Sequence, residues 1–478
     1  MLICYLIIKE VICVKARIIE TNKENNNYLT EIGSFPFLTE KEIKDNCTEE
    51  PTRMRLHPWD IEAFLINIHP EAEFQKIIGF GGAFTDTAAH AWKKLSEEKR
   101  EKVIKAYFND EEGIGYNFGR CHISSCDFST ENYSYVAEGD ETLDSFTIER
   151  DHKAIIPFLK EAMQENPEIK LFASPWSPPA FMKTNNSLIG GSLKKDYYSL
   201  WAKYVRKYFD SYKAEGIDFW GTTVQNEPRH NQVWESCVYT EEEERELLKN
   251  HLGPALEGTG INIICYDHCK ERLFERSYAM FGDEKANKYC KGIAYHWYSG
   301  EHWGEIELVR NTWKDKYIIN SEGCMADTVK GYKKPQEWTY GENYGHELCG
   351  ALRAGINAFT DWNLVLDENN GPAHNREGRL YCNAPVFCDG EKDEVILTPA
   401  YYYIGHFSKF IKRDAVRLGI SSYSEKVESV AFKNPDGSIV CVVLNRTDDD
   451  MEYILRIGTS VCKQMIKAHS IITAIITE

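Results

Sequence analysis

Two stretches of the chain drive an apolar run straight into a glutamate. IDFWGTTVQNEP (217–228) ends in Asn226, Glu227 and Pro228, and DKYIINSEGC (315–324) reaches Glu322. Pro228 removes a ladder donor and fixes φ, so the strand stops there and leaves Glu227 at its end. Two carboxyl groups facing one another are what cleavage of a glycosidic bond requires. One protonates the leaving oxygen, and the other attacks the anomeric carbon or activates water. Their repulsion, with partial burial, raises the pKa of one above the other and separates the roles. Taken singly, either Glu has a plainer use as the partner of a Lys or Arg on a rim. Together, beside Asn226 and Tyr298, they fit the chemistry better.

Other chemistries lack their signatures. A metal-dependent hydrolase on the same scaffold wants an H-x-H or a His/Asp cluster, and a serine hydrolase wants G-x-S-x-G. Neither motif occurs, so no metal and no cofactor are expected.

Holding two such groups in opposition is the task of the surrounding elements. Eight short apolar runs recur along the chain, each ending in polar or small residues: KIIGFGGAFTD, FGRCHISSCDFS, KLFASPWSPP, DFWGTTVQNEP, NIICYDHC, GIAYHWYSG, YIINSEG and NAFTDWNLVLD. Charged amphipathic stretches lie between most of them. LSEEKREKVIKAYF and DYYSLWAKYVRKYFDSYKAEG follow a 3.6 period, and the second stops at Gly216. Eight strands alternating with helices predict a (β/α)8 TIM barrel, an α/β fold. The doubly wound alternative needs G-x-G-x-x-G after its first strand, and GFGGAF (79–84) lacks that spacing. In a barrel the C-terminal strand ends line the site. They supply Asp86, Asp127, Trp176, Asn226, Glu227, His296, Tyr298, Glu322, Trp362 and Asn363. Trp176, framed by prolines, is either a packed loop anchor or one wall of a sugar pocket. His296, beside Trp297 and Tyr298, is either a satisfied core histidine or part of the site.

The ends of the chain read differently. VESVAFKNPDGSIVCVVLNRTDDDMEYILRI alternates apolar and polar residues around two turns, an antiparallel meander. DIEAFLINIHPE also reads as strand. The expected layout is a poorly ordered or merely appended segment at 1–60, strands of a β-sandwich side domain at 61–78, the barrel at 79–398, and the rest of the antiparallel β-sandwich at 399–478. The side domain is thus formed from both chain ends.

A formal charge of −18 argues against nucleic acid or an anionic membrane as partner. Fifteen cysteines with no C-x-x-C, many inside apolar runs, suit buried thiols in a reducing compartment better than a disulfide framework. The apolar opening MLICYLIIKE has no basic lead and is broken by Lys9 and Glu10. No later stretch has the length of a membrane span. The expectation is a cytoplasmic protein without stable membrane insertion, with secretion as the alternative.

Jointly, GFGGAFTD (79–86), SCDFS (125–129), SPWSPPAFMKTN (174–185), TVQNEP (223–228), HWYSG (296–300), SEGC (321–324) and DWNLVLDENNGP (361–372) resemble glycoside hydrolase family 30, the family of lysosomal glucosylceramidase. The tail YYYIGHFSKFI (401–411) is similar to that of its bacterial members. The resemblance implies a retaining mechanism with Glu227 as acid/base and Glu322 as nucleophile, about 5–5.5 Å apart. It implies that Asp86 and Trp176 hold sugar hydroxyls and that Asn226 contacts the 2-hydroxyl. His296 and Tyr298 would orient the nucleophile, Trp362 would line the pocket, and Arg120 and Asp127 would stand behind it. One departure is the loop 369–385, where Ala373 replaces an expected Asn and the segment is longer; no ligand role passes to Asn375. The implied substrate is a carbohydrate or glycolipid, with a β-glucoside of the glucosylceramide type as the default. β-1,6-glucanase, β-xylosidase/xylanase and β-fucosidase activities are rivals within the family, and a non-hydrolysing carbohydrate-binding barrel is the rival of another class.

Overall fold

A computed structural model describes residues 14–39, 65–327, 337–374 and 381–477. The eight runs become eight strands: Gly79–Phe84, Phe118–Ile123, Lys170–Pro175, Phe219–Thr223, Asn262–Cys269, Cys290–His296, Tyr317–Glu322 and Ala358–Asn363. Each pairs in parallel with the next in sequence, and the eighth pairs with the first, closing a barrel. Parallel strands covered on both faces read as nearly continuous apolar runs rather than alternating ones.

Phe118, Phe172, Ile264, Ile319 and Ala358 form one buried cluster within the barrel. A second cluster gathers residues at and beyond the strand ends, among them Phe128, Trp176, Cys324, Trp362 and Phe387. The first fills the interior with side chains; the second provides the apolar ground on which the site is built.

The helices behave as their period predicts. Glu97–Phe108 is capped by Ser96, whose side chain accepts from the Lys99 amide, and it buries Val103, Ile104, Tyr107 and Phe108. Tyr198–Ala214 buries an aromatic stripe including Trp201, Tyr204, Tyr208 and Tyr212. Gly216 has a φ of 81° and ends that helix, with the amides of Gly216 and Ile217 donating to the carbonyls of Lys213 and Tyr212. This is the paired closure that an αL residue permits. No helix among the described residues is long and apolar enough to cross a membrane.

The other unit comprises the described residues up to Phe74 together with those from Phe410 onward. Ten strands run in one hydrogen-bonded order, and strands from its two halves share a single core that includes Ile18, Ile66, Leu418, Val443, Tyr453, Leu455 and Ile472. Both chain ends build it, since Lys15–Asn22 pairs antiparallel with Ser470–Thr477. Two expectations need correction. Lys15–Asn22 and Asn27–Pro36 form an ordered hairpin rather than a loose extension. Its polar NKENN segment is only the turn, with Asn26 at a φ of 55°. Residues 1–13 and 40–64, which take in the rest of the 1–60 segment and the start of 61–78, lie outside the described residues. The helix Pro399–Ser408 belongs to the barrel unit, so the sandwich resumes only at Phe410.

Barrel closure admits little backbone freedom at Gly81, where a Cβ would stand 1.5 Å from the Phe118 carbonyl oxygen on the paired strand. Gly81→Ala is expected to cost about 3 kcal/mol or more. Gly304→Ala, at a helical position where a Cβ meets nothing within 4 Å, should be neutral or stabilising by about 0.5–1 kcal/mol. Urea midpoints of the two variants check this pair.

Candidate active site

Beyond Thr223 the fourth strand keeps its partners for four more residues. Val224, Asn226 and Glu227 donate their amides to the carbonyls of Ile264, Pro175 and Asp267. The Gln225 side chain ties the segment to the Trp176 carbonyl at 2.7 Å. Glu227 then turns the chain at a φ of 47°, an αL conformation that costs a residue with a Cβ about 1–3 kcal/mol. Pro228, which has no amide to satisfy, follows. The outcome is a carboxylate at the barrel mouth, with Oε2 accepting from Gln232 at 3.0 Å and Oε1 at 3.2 Å from Nδ1 of His296.

Glu322 closes the seventh strand. Its Oε2 accepts from Arg120 at 2.5 Å, and its Oε1 accepts from the Tyr298 hydroxyl at 2.9 Å. Nδ1 of His296 is 3.7 Å from the same Oε1. The two glutamate oxygens therefore lie 3.2 and 3.7 Å from one nitrogen, and their separation cannot exceed the sum, about 6.9 Å. Both carboxylates serve one small space.

Beneath them sits a fully buried cation. Arg120 donates to Ser174 at 3.1 Å, Glu322 at 2.5 Å, Asn226 at 2.9 Å and Asp267 at 2.8 Å. Its guanidinium also lies 4.8 Å from the Trp176 ring centre and 5.5 Å from that of Trp362. Burial works against its charge, but Asp267 and Glu322 more than offset this and raise its pKa. Asp267 accepts further hydrogen bonds from Ser174, Thr223, Ser321 and Nε2 of His296. Burial pushes its carboxyl up, yet Arg120 and His296 hold it well below the usual carboxylate range. His296, itself fully buried, is opposed by burial but raised to about 10 by Glu322, Asp267 and Glu227. Glu227 moves the other way: burial lifts it, and the hydrogen bond from His296 brings it below its ordinary value.

The cavity above these groups encloses about 470 Å³. Of the residues singled out in the sequence, Glu227, Glu322, Asn226, Trp176, Tyr298 and Trp362 line it, and so does Asp127, which was expected to stand behind it. Trp176 and Trp362 stack at 5.5 Å with planes 20° apart, and Phe128 meets Trp362 edge-on. His296 and Arg120 lie directly behind the carboxylates, with Arg120 touching Glu322 itself. Asp86 stands apart from the lining. Its carboxylate is taken up by Arg150 and by the backbone and hydroxyl of Thr130.

Sequence reasoning passed over Asp267, which joins Arg120 to His296. The available signal was its place at the end of NIICYDHC. It also passed over His230, Gln232 and Trp234, which line the cavity from the loop after Pro228. Within the altered loop, residues 375–380, Asn375 among them, lie outside the described residues; Cys382 beyond them lines the cavity.

A closed parallel barrel presenting paired carboxylates under stacked tryptophans defines a glycoside hydrolase. The chain belongs to glycosyl hydrolase family 30: residues 77–411 match the TIM-barrel domain of that family and 414–474 its β-sandwich domain. It is 33% identical over 429 residues to lysosomal acid glucosylceramidase of Mus musculus, covering 84% of this chain and 82% of that protein. It is 28% identical to an endo-1,6-β-D-glucanase of Neurospora crassa, over 80% of this chain and 81% of the relative. Among solved structures, SrfJ from Salmonella typhimurium superposes with a TM-score of 0.88 at 32% identity, over 96% of this chain and 99% of that one. The endo-β1,6-glucanase BT3312 superposes at 0.83 and 25% identity, over 96% and 98%.

His296 is charged in the folded protein well above its unfolded pKa of about 6.5. Its stabilising contribution is therefore complete below about pH 6.5 and is lost as pH rises toward about 10. The stability gap between the wild type and His296→Asn, followed by urea unfolding, should narrow across that interval. A gap that stays constant contradicts a buried imidazolium.

Proposed function

We propose that the protein hydrolyses β-glucosidic bonds by double displacement with retention, Glu322 acting as nucleophile and Glu227 as acid/base. The observation that carries this reading is the shared nitrogen of His296, which keeps the two carboxylates within one sugar's reach. An inverting pair is set about 6.5–9.5 Å apart to admit a water between base and sugar. The ceiling of about 6.9 Å between the two nearer oxygens admits the retaining separation of about 5–5.5 Å, and nearly all of the inverting range lies beyond it.

In the first step an oxygen of Glu322 bonds to the anomeric carbon as the glycosidic C–O bond breaks, and Glu227 gives its proton to the departing oxygen. In the second step Glu227 takes a proton from water, whose oxygen displaces the ester and restores the Glu322 carboxylate. Arg120 and Tyr298 hold one oxygen of Glu322 each, so the attacking group is aimed before substrate arrives. Between turnovers the proton Glu227 needs rests on His296, 3.2 Å away. Asn226, fixed by Arg120, borders the sugar, and the stacked pair Trp176 and Trp362 supplies its apolar wall.

A glucosylceramide-type substrate is supported by the relatives at 33% and 32–34% identity that bear the glucosylceramidase name. The endo-1,6-β-glucanase relatives support a β-1,6-glucan as the second reading.

Glu227→Gln and Glu322→Gln should each lower kcat on an aryl β-glucoside by on the order of 10³-fold or more. Azide should rescue only the alanine variants. Full activity in Glu322→Ala would remove the reading. A panel of aryl β-glucoside, β-xyloside and β-fucoside, run beside glucosylceramide micelles and a β-1,6-glucan, ranks the substrates.

A further inference from the structure

Glu227 has a second set of neighbours that the reaction does not use. His230, in the loop after Pro228, and His268, near the end of the fifth barrel strand, both point ring nitrogens toward its carboxylate. One donor atom from each of the three residues lies within 4.8 Å of the other two. The two imidazoles meet edge to face with centres 4.3 Å apart. His268 is fully buried, yet neither of its ring nitrogens has a hydrogen-bond partner. Buried polar atoms are nearly always satisfied, so an imidazole orphaned at both nitrogens calls for a ligand. His230 falls outside every motif that carried the family resemblance.

We infer that Glu227, His230 and His268 form a binding site for a divalent, imidazole-seeking metal ion, Zn²⁺ above all, whose occupancy switches the enzyme off. Two imidazoles and a carboxylate are a common zinc set, with a water taking the fourth position. Bonds of about 2.0–2.1 Å place donors around one tetrahedral ion about 3.3 Å apart, so the three must draw together. The side chain of His230 is 52% exposed, and its bond to Gln232 is long at 3.3 Å, so it is free to swing inward. Strand-end backbone holds the other two. An ion bonded to the Glu227 oxygen occupies the lone pair that must carry the proton. That consequence rests on the acid/base role given to Glu227; metal binding itself does not.

The rival zinc ligands are the thiols of Cys269, Cys324 and Cys382, which line the same cavity. Co²⁺ separates the two possibilities, because thiolate ligands add an intense sulfur-to-metal charge-transfer band and imidazoles do not. The experiment titrates Co²⁺ and then Zn²⁺ into the wild type, His230→Gln and Cys324→Ser by absorbance. It also measures Zn²⁺ inhibition of aryl β-glucoside hydrolysis, each variant against its own metal-free rate. The expected result is one Co²⁺ per chain without a sulfur band, displaced by Zn²⁺ and removed by a chelator with recovery of activity. His230→Gln should weaken Zn²⁺ binding and inhibition by about tenfold or more, and Cys324→Ser should change neither. A sulfur band, or unchanged affinity in His230→Gln, overturns the site. Binding that needs His230 yet leaves hydrolysis untouched sustains the metal site but overturns the switch, and with it the acid role of Glu227.

Discussion

The mouth of the barrel is organised by a positive charge that has no access to water. Arg120 rises from the second strand and reaches groups on the third, fourth, fifth and seventh. A guanidinium buried this deeply is tolerable only if its donors are met by anions of good geometry, and deleting one partner of such a pair typically costs about 3–5 kcal/mol. Asp267 and Glu322 meet that demand, Ser174 and Asn226 take further donors, and Trp176 and Trp362 present ring faces. The requirement to neutralise Arg120 therefore fixes the rotamer of Glu322, the orientation of Asn226 and the position of the aromatic wall at once. A group needed for charge balance doubles as the scaffold for chemistry.

The same network makes two glutamates unlike. Glu322 is clamped by a guanidinium and a phenol, whereas Glu227 leans on an imidazole and an amide. In the proposed reaction the first is the held carboxylate that attacks, and the second, hydrogen-bonded to His296, is the one that transfers the proton. Environment, rather than residue type, divides the labour. Backbone strain contributes too, since Glu227 sits at a positive φ at the end of its strand, held by the Asp267 carbonyl. Asp267 thereby supports Glu227 through its backbone and Glu322 through Arg120.

Much of this was legible in the order of residues. Barrel strands are covered on both sides, so their runs are long in apolar residues and end abruptly, as YIINSE does. Glu227 and Glu322 were visible because a carboxylate at such an end is conspicuous. What a side chain does after leaving its strand was less visible. Arg120 stands mid-strand in FGRCHI and lies behind the pocket as expected, but its spacing gave no sign that its guanidinium would bond Glu322. Asp86 has the right type and place at its strand end, yet Arg150, distant in sequence, takes up its carboxylate. The N-terminal hairpin was hidden by its own turn, whose asparagines and lysine outweigh the short alternation in KARIIETN. The reach of Arg120 and the capture of Asp86 depend on contacts between residues far apart in the chain, which spacing alone does not encode.

The stereochemistry of the first product tests the central claim most directly. Proton NMR on an aryl β-glucoside, begun before mutarotation sets in, distinguishes two outcomes. Carboxylates this close, one bonded to the sugar between steps, release β-glucose first. Initial appearance of the α-anomer would mean that water attacks directly, and the arrangement around Arg120 would then need another explanation.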